Sequence, residues 1–381
     1  MTGRRILFLA PQPFFEVRGT PLAVLAMVRA LTGLGHRVEL LSYPQGEAVD
    51  VPGLVHRRSL ALPVGRVRAG ASLAKLLLDV PFLLEAAWLL FTRRYDAVHA
   101  VEEAAHLIAP FARLRGAPLV VDADSSIPEQ LRESGFARRG PLLWTAQALE
   151  RHALRRAAAV VTVCKSLTDG VRKQAPEARV FQIEDPPLVD GTPPDPAAVS
   201  ALRSSLGLGP EPVVLYTGNF APYQGVTLLV DAATRVPEAQ FLFLGGEPAE
   251  IEALRSRGGR SVFAGKRPPS ELPLFLALAD AVASPRCRGT NTPFKIFTYL
   301  ASGKPLVATR LETHTQLLDD STAFLVEPTA EALAAGIRRA LADPADARTR
   351  AERGRALLER EYSVTRYTEK VAAAYASLGP P

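Results

Sequence analysis

The sequence is poor in the residues that bind metals or form disulfides. Only two cysteines, Cys164 and Cys287, occur among 381 residues, and neither lies in a metal-binding or disulfide pattern. The six histidines include no HExxH motif. These absences exclude a disulfide-stapled scaffold and the common zinc signatures. We therefore predict no metal site and no cofactor.

Two other ligand-binding signatures are missing. No GxGxxG motif follows the first predicted strand, which argues against a dinucleotide dehydrogenase. No basic run with interleaved aromatic residues occurs, although the net charge is +6 and the pI about 9.5. A basic balance also fits phosphate-bearing ligands and anionic lipid surfaces. We predict that nucleic acid is not a partner.

Apolar runs of the kind that cross membranes are also lacking. The N-terminus, MTGRRILFLAPQPFF, has a short apolar run broken by proline, so we predict a first strand rather than a signal peptide, and a cytoplasmic protein. The most apolar stretch, residues 72–91, contains Lys75, Asp79 and Glu85. Two alternatives stay open for it. It is a helix packed in its domain, or, because arginines flank it, the 57–94 region makes peripheral contact with an anionic membrane.

Apolar strand-like runs alternate with helical stretches in both halves of the chain. Continuous apolar runs are typical of parallel strands covered on both faces. The predicted strands are Arg5–Ala10, Arg37–Tyr43, Ala97–Val101, Leu119–Ala123, Ala159–Val163, Val180–Ile183, Val213–Thr217, Gln240–Leu244, Ser261–Ala264, Asp280–Ser284, Pro305–Ala308 and Ala323–Val326. This pattern predicts an α/β protein with two Rossmann-like domains facing a central cleft, and ligands at the carboxyl ends of the strands.

A proline-rich polar segment separates the two halves. It contains PPLVDGTPPDP and LGLGPEP. We predict an N-terminal domain at 1–188, a linker at 189–211, a C-terminal domain at 212–360 and a C-terminal helix at 361–381 that could cross back to the N-terminal domain.

The most informative segment is SPRCRGTNTPFKIFTYLASGKPLVAT, residues 284–309. It predicts a strand end, a polar loop, a helix from Pro293 to Ser302 with Thr292 as its N-cap, a Gly303 turn and a second strand. The loop brings arginines and hydroxyls to a helix N-terminus, where phosphate binds well.

These residues carry a family resemblance. The segments YTGNFAPYQGVTLLVDA, FLFLGGEPAEIEAL, VFAGKRPPSELPLFLALADAVASP, KIFTYLASGKPLVAT and STAFLVEPTAEALAAGI, with RGTP and LTGLGHRVELLS nearer the N-terminus, resemble glycosyltransferase family 4 of the GT-B fold. The resemblance implies sugar transfer from a nucleotide-sugar donor, usually without metal and with retention at the anomeric carbon. The donor would bind in the C-terminal domain and the acceptor in the N-terminal domain.

The chain departs from the family pattern at the donor site. Thr290 and Thr298 stand where the family has two glutamates, and Asn219 and Gln224 stand where it has an arginine and a lysine. Asp124 aligns roughly with a family histidine. We therefore predict an atypical branch of the family.

The donor-site candidates come from four loops. Lys295 is a predicted catalytic residue that would replace the family lysine, and Arg286 and Arg288 supply fork-shaped donors. The remaining donor-binding candidates are Gly19, Gly218, Asn219, Gln224, Gly246, Thr290, Asn291, Thr292 and Thr298. The alternatives are that the polar loop caps its own helix, that Thr298 packs in mid-helix and that the glycines form plain turns.

Acidic residues gather at the carboxyl ends of the predicted strands of the N-terminal half: Glu102, Glu103, Asp122, Asp124, Glu184 and Asp185. We predict Glu102 and Asp122 as acceptor-binding residues, and Asp124 as a catalytic residue that contacts the transferred sugar or the acceptor. Such acids could hold acceptor hydroxyls, an amine or a divalent cation, or could cap helices.

The sequence favours a glycosyltransferase that moves a sugar to a polar or lipid-linked acceptor. Two alternatives remain: a nucleotide-sugar-binding protein that has lost catalysis, and a nucleotide-sugar epimerase. The epimerase would need acid and base groups, for which Asp124 and His314 are the candidates.

Overall fold

The structure is a computed structural model that describes residues 3–16, 18–65, 73–133, 139–257 and 259–380. It divides into two compact units. Unit 1 comprises Met1–Glu184 and Tyr367–Pro381, and unit 2 comprises Asp185–Arg366. Each unit is built on one parallel sheet with helices between the strands. The predicted α/β class with two Rossmann-like domains is therefore confirmed.

Unit 1 contains a seven-stranded parallel sheet with the order β3-β2-β1-β4-β5-β6-β7. Its strands are β1 (Arg5–Pro13), β2 (Arg37–Tyr43), β3 (Leu54–Arg58), β4 (Ala97–Val101), β5 (Leu119–Ala123), β6 (Ala159–Thr162) and β7 (Val180–Gln182). Its helices are α1 (Gly19–Gly33), α2 (Leu73–Thr92), α3 (Glu103–Arg115), α4 (Ile127–Glu133), α5 (Pro141–Arg156) and α6 (Lys165–Gln174). The C-terminal helix α15 (Val364–Ala376) belongs to unit 1 from Tyr367 onward, and its first three residues belong to unit 2.

Unit 2 contains a six-stranded parallel sheet with the order β10-β9-β8-β11-β12-β13. Its strands are β8 (Val213–Thr217), β9 (Gln240–Leu244), β10 (Val262–Gly265), β11 (Ala281–Ser284), β12 (Leu306–Thr309) and β13 (Phe324–Val326). Its helices are α7 (Pro196–Ser205), α8 (Val226–Ala233), α9 (Pro248–Arg255), α10 (Leu272–Leu278), α11 (Lys295–Ser302), α12 (Glu312–Thr315), α13 (Ala330–Ala342) and α14 (Pro344–Leu357).

Both sheets reverse their strand order once, between β1 and β4 and between β8 and β11. In open parallel sheets, ligands bind beyond the carboxyl ends of the strands at such a reversal. The central strands are buried along nearly their whole length, because helices cover both faces of each sheet. The topology therefore predicts ligand sites at the loops after β1 and β4 in unit 1 and after β8 and β11 in unit 2.

Two local predictions need correction. The edge strand β3 was not predicted, because LVHRR is half polar and partly exposed and so lacks the apolar run of a buried strand. Helix α11 begins at Lys295 rather than Pro293, and Thr292 does not cap it. A turn in which the Ile296 amide donates to the Pro293 carbonyl (2.9 Å) precedes the helix. Gly303, at φ 66°, ends the helix as predicted.

None of the helices in the described ranges combines the length and apolar character needed to cross a bilayer. The long apolar helix α2 instead packs one side into the core of unit 1, through Leu78, Phe82, Ala86 and Leu89.

Candidate functional site

The loops after β8 and β11 pack backbone against backbone at the reversal of the unit 2 sheet. The Cys287 amide donates to the Tyr223 carbonyl at 3.0 Å. Gly225 has a φ of 69°, and a Cβ atom there would lie 1.9 Å from the carbonyl oxygen of Pro285. Only glycine fits this contact. The two loops are therefore held as one surface at the carboxyl edge of the sheet.

Lys295 is the central cation of this surface. It is the first residue of α11, and its Nζ lies 3.8 Å from the centre of the Tyr216 ring and 3.3 Å from Gln224 Oε1. A Cβ atom on Gly218 would approach this Nζ to 2.9 Å, so glycine leaves the ammonium its space. Burial, with the charge of Arg286 added, lowers the pKa of Lys295 well below its usual value. Within the described ranges, no acidic side chain forms an ion pair with it.

Arg286 provides a second cation on the same surface. Its guanidinium lies over the Tyr223 ring, 5.1 Å from the ring centre, and its Nε donates to the Arg288 carbonyl at 3.0 Å. Its own carbonyl accepts from Thr309 Oγ1 at 2.5 Å. These contacts orient Arg286, whereas the Arg288 side chain is exposed.

The other predicted donor residues of unit 2 lie around these two cations. Gln224 is buried and accepts from Lys295, while Asn219 is exposed and caps its own turn by accepting from the Ala221 amide at 3.1 Å. The Thr290 carbonyl accepts from Gln316 at 2.8 Å. Thr292 is buried, Asn291 is partly buried, and Gly246 faces the ring of Phe220.

Thr298 lies apart from this surface. It is 2% exposed in the middle of α11, and its hydroxyl oxygen accepts from the Leu188 amide at 3.1 Å. The mid-helix packing alternative therefore describes Thr298 better than a ribose contact, because its hydroxyl faces the chain that leads into unit 2.

His314 is a structural residue and not an acid or base. It is fully buried, and its Nδ1 lies 2.7 Å from the Thr309 carbonyl and must donate to it. Nε2 then accepts from the Ser284 hydroxyl at 2.9 Å. Burial lowers the pKa of His314 to about 3, so the ring is neutral and braces the ends of β11 and β12. The epimerase alternative thereby loses one of its two candidate groups.

In unit 1, Glu102 stands directly after β4, at the reversal of the sheet. Its backbone has a φ of 48° and a ψ of −126°, which a residue with a side chain rarely adopts. Its carboxylate accepts from Ser125 Oγ at 2.6 Å and Gln130 Nε2 at 3.2 Å, and its other oxygen lies 3.6 Å from Lys75 Nζ. Such strain costs about 1–3 kcal/mol and persists where the surroundings enforce it, often at functional sites.

Asp122 does not reach the sheet edge, contrary to its predicted acceptor role. It is 6% exposed, and its Oδ2 lies 3.0 Å from His99 Nε2. The other nitrogen of His99 lies 2.8 Å from the Tyr375 hydroxyl on the C-terminal helix. Side chains alternate between the faces of a strand, and the one at 122 points toward His99 and the C-terminal helix.

Two of the remaining predicted acids form ion pairs with lysines. Glu103 pairs with Lys75 at 2.5 Å, and Glu184 pairs with Lys370 at 2.5 Å. No group of three or more potential metal ligands forms within the described ranges, so the divalent-cation option for these acids finds no support there. Asp124 follows β5 and is partly exposed. Gly19 begins α1, and a Cβ atom there would have no neighbouring atom within 4 Å.

The sequence did not predict the two tyrosine rings that contact the cations of the unit 2 surface. Tyr216 lies under Lys295, and Tyr223 lies under Arg286. Neither tyrosine carries a signal in the sequence, since a tyrosine in an apolar strand such as β8 resembles a core residue. Lys75, which approaches Glu102 and Glu103, was also missed as a partner because it lies within the apolar 72–91 stretch.

Comparison with known proteins assigns both halves of the chain to the same family. A "Glycosyl transferase 4-like domain" matches residues 18–186, and "Glycosyl transferases group 1" matches residues 211–343. The chain belongs to glycosyltransferase family 4. It is thus a glycosyltransferase with the GT-B fold, and it uses a nucleotide-sugar donor, as the resemblance implied.

Two curated relatives and one solved structure show the range of this similarity. The glycosyltransferase is 28% identical over 285 residues to alpha-D-kanosaminyltransferase of Streptomyces kanamyceticus, covering 70% of this chain and 72% of the relative. It is 30% identical over 260 residues to the GDP-mannose-dependent alpha-(1-6)-phosphatidylinositol monomannoside mannosyltransferase of Mycolicibacterium smegmatis, covering 62% and 65%. Sucrose-phosphate synthase from Thermosynechococcus elongatus has the same fold, with a TM-score of 0.80 at 22% identity, covering 98% of this chain and 99% of the other.

Proposed function

We propose that this glycosyltransferase binds the diphosphate of its donor with Lys295 and Arg286 and transfers the sugar, with retention, to a polar or lipid-linked acceptor. Residues 212–360 would carry the donor and residues 1–188 the acceptor, with 189–211 as linker. A lipid-linked acceptor would bring the 57–94 region to a membrane. The name of the mannosyltransferase relative includes phosphatidylinositol monomannoside, which is a lipid, and the name of the kanosaminyltransferase gives no acceptor, so both acceptor classes stay within the proposal.

The observation that carries the donor site is the ammonium of Lys295, which has no acidic partner among the residues that the structure describes. Its polar contact is to the amide oxygen of Gln224, and its aromatic contact is to Tyr216. Burial disfavours this cation, as the lowered pKa of Lys295 indicates. An arriving diphosphate would supply the missing negative charge and form charge-assisted hydrogen bonds.

Arg286 supports the same proposal by its position. It is fixed over Tyr223 and raises the local positive potential at Lys295. Two cations beside the first turn of a helix suit the two phosphates of a nucleotide-sugar donor. In this chain, cations and amide groups would stabilise the leaving group without the arginine, lysine and glutamates of typical family members.

The reaction requires little chemistry from the protein. The bond between the anomeric carbon and the phosphate oxygen breaks, and the acceptor oxygen bonds to the same carbon on the same face. The acceptor proton passes to the leaving diphosphate oxygen. Lys295 and Arg286 would offset the negative charge that develops on that diphosphate, which is the main electrostatic contribution available here. Positioning of the two substrates supplies the rest.

Glu102 and Asp124 are the acceptor-side residues of the proposal. Ser125 and Gln130 orient the Glu102 carboxylate at the end of β4, while Asp124 follows the neighbouring strand β5. Carboxylates there would accept hydrogen bonds from acceptor hydroxyls or an amino group. Asp122 is left out because its carboxylate is buried and its Oδ2 lies against His99.

Thermal unfolding in the presence of UDP-, GDP- and ADP-sugars tests the donor site. A donor at a hundred times its Kd stabilises the protein by about 2.7 kcal/mol, which raises the unfolding midpoint by roughly 5–11 °C for a unit of this size. Lys295→Ala should cut the shift to about a third, because a roughly thirtyfold weaker Kd leaves the same donor concentration at only about three times the Kd. Lys304→Ala is the matched control, since Lys304 is also partly buried with a lowered pKa but donates to Ala277 away from these loops. A donor shift that keeps its full size in Lys295→Ala would refute the proposed site.

If a donor binds but is neither transferred nor hydrolysed, the alternative of a binding protein without catalysis gains support.

A further inference from the structure

The outer side of α2 is apolar, which is the reverse of an ordinary surface helix. From Leu76 through Phe91, a segment that the structure describes in full, every exposed side chain is a large hydrophobic one. They are Leu76, Leu77, Val80, Leu84, Trp88 and Phe91. Leu84 is 68% exposed and Trp88 55%. The stripe spans about 22 Å at 1.5 Å per residue. Contiguous apolar surface of this extent usually marks an interaction site.

The charged residues of α2 point the other way. Lys75 pairs with Glu103 at 2.5 Å, and Asp79 accepts from the Tyr43 hydroxyl at 2.5 Å. Glu85 accepts from the backbone of Leu60. These polar groups are engaged by unit 1 and only partly exposed, so the exposed positions of the helix between its ends are all apolar.

Neighbouring helices extend the apolar surface. Helix α2 packs on α3, and α3 packs on α5, over a shared core. Leu114 at the end of α3 is 76% exposed, and Trp144 on α5 is 67% exposed. The chain has two tryptophans, Trp88 and Trp144, and both project from this helix layer. Tryptophan favours the boundary between lipid headgroups and acyl chains.

Arginines lie at one end of the same layer. Helices between parallel strands run against the strand direction, so α2, α3 and α5 all end near the amino edge of the sheet. The sequence places Arg94 just after α2, Arg113 and Arg115 at the end of α3, and Arg155 and Arg156 at the end of α5, and all five are exposed. Arginine there would meet anionic headgroups, each contact strengthening binding by about fivefold.

We propose that this face, defined by Leu77, Leu84, Trp88, Leu114 and Trp144 with the arginines at its end, lies on an anionic lipid bilayer. The proposal rests on the proposed function, since it supplies the surface where a lipid-linked acceptor would be met. A bilayer fits better than a second copy of the chain. A second copy of the same face would offer these arginines no exposed acid from Leu76 through Phe91, whereas anionic headgroups neutralise them.

Co-sedimentation of the full chain with vesicles tests the proposal. Vesicles of phosphatidylcholine alone are compared with an equal mixture of phosphatidylcholine and phosphatidylglycerol, at low and high salt. The double variant Leu84→Gln/Trp88→Gln should bind the anionic vesicles at least ten times more weakly than the parent. Val364→Gln is the matched control, because Val364 is as exposed as Trp88 but lies in unit 2. Arg113→Gln should lower binding by about fivefold at low salt and by less at high salt.

The proposal is overturned if the parent fails to bind anionic vesicles at low salt, or if the double variant binds as well as Val364→Gln. It is also overturned if light scattering shows a dimer that the double variant abolishes. The donor-induced thermal shift, measured on the same preparations, separates the two hypotheses. Its retention in the double variant shows that the protein is folded and the donor site intact, so loss of vesicle binding then reports on this face alone.

Discussion

Replacement of Lys295 by methionine should weaken donor binding while leaving the free protein as stable or more stable. Methionine has a similar length and fits beside the Tyr216 ring without a charge. A structural lysine would behave in the opposite way, because its removal would lower stability and spare the ligand. The two effects of one substitution therefore distinguish a binding residue from a packing residue.

The contacts of Lys295 set the expected size of the change in stability and of the change in donor affinity. Its cation over Tyr216 stabilises the fold by about 0.5–1 kcal/mol. The lowered pKa of Lys295 means that the loss of hydration outweighs this contact and the bond to Gln224. We expect Lys295→Met to stabilise the free protein by about 1 kcal/mol, or roughly 2–4 °C in the unfolding midpoint. The lost charge-assisted bonds to the donor should cost about 2 kcal/mol, or roughly thirtyfold in Kd.

The pH dependence of stability gives an independent check. The folded-state pKa of Lys295 is lowered, so the unfolded chain binds more protons between that lowered pKa and the ordinary value of 10.5. Stability should therefore rise with pH through this window, and Lys295→Met should remove that rise. Donor affinity should fall as pH rises through the pKa of the lysine, whereas Lys295→Arg should hold its affinity because guanidinium stays charged.

The assays are calorimetric titration of the donor identified by thermal shift, and thermal unfolding across pH, with Lys304→Met as the control. A destabilisation of about 1 kcal/mol or more with unchanged donor affinity would refute the reasoning. It would show that Lys295 serves packing and that the diphosphate binds elsewhere.

Three further predictions follow from the same structure. Gly225→Ala should destabilise the protein by about 3 kcal/mol or more in denaturant titration, because its Cβ would lie 1.9 Å from the Pro285 carbonyl oxygen. Gly19→Ala is the control and should unfold like the parent, because a Cβ there has no atom within 4 Å. Equal stabilities of the two variants would contradict the close packing of the two loops. Burial lowers the pKa of His314 from 6.5 to about 3 in the folded state, so the free energy of unfolding should fall by about 1.4 kcal/mol per pH unit between pH 6.5 and 3. His314→Gln should make the stability measured by thermal unfolding depend less on pH in this range. An unchanged pH dependence would argue against the buried neutral ring. Asp124→Asn should reduce turnover by about a hundredfold without changing the donor-induced thermal shift, and unchanged turnover with the true acceptor would remove Asp124 from the proposed acceptor side.

Much of the fold could be predicted from local pattern. The bounds of β2, β4, β5, β8 and β9 agree with prediction, because a buried parallel strand is a continuous apolar run bounded by turn residues. Edge strand β3 escaped prediction because its exposure permits polar residues, which hides the pattern.

The candidate site was only partly predictable. Cations and glycines after β8 and β11 could be located along the chain, since loops at strand ends are set by topology. Their partners could not be located, because contacts between Lys295 and Tyr216, or between Arg286 and Tyr223, join residues far apart in sequence. The same holds for Thr298, whose hydroxyl oxygen accepts from the amide of Leu188, 110 residues away in the sequence.

The sequence by itself determined the alternation of strands and helices, the family and the loops that carry charge. These depend on periodicity and turn chemistry, which are local properties of the chain. Only the tertiary structure decided which polar groups are already paired. Asp122 and His314 have partners inside the fold, whereas Lys295 lacks an acidic partner in the described ranges. The outward apolar face of α2 was decided in the same way, because burial depends on which neighbours the chain brings together.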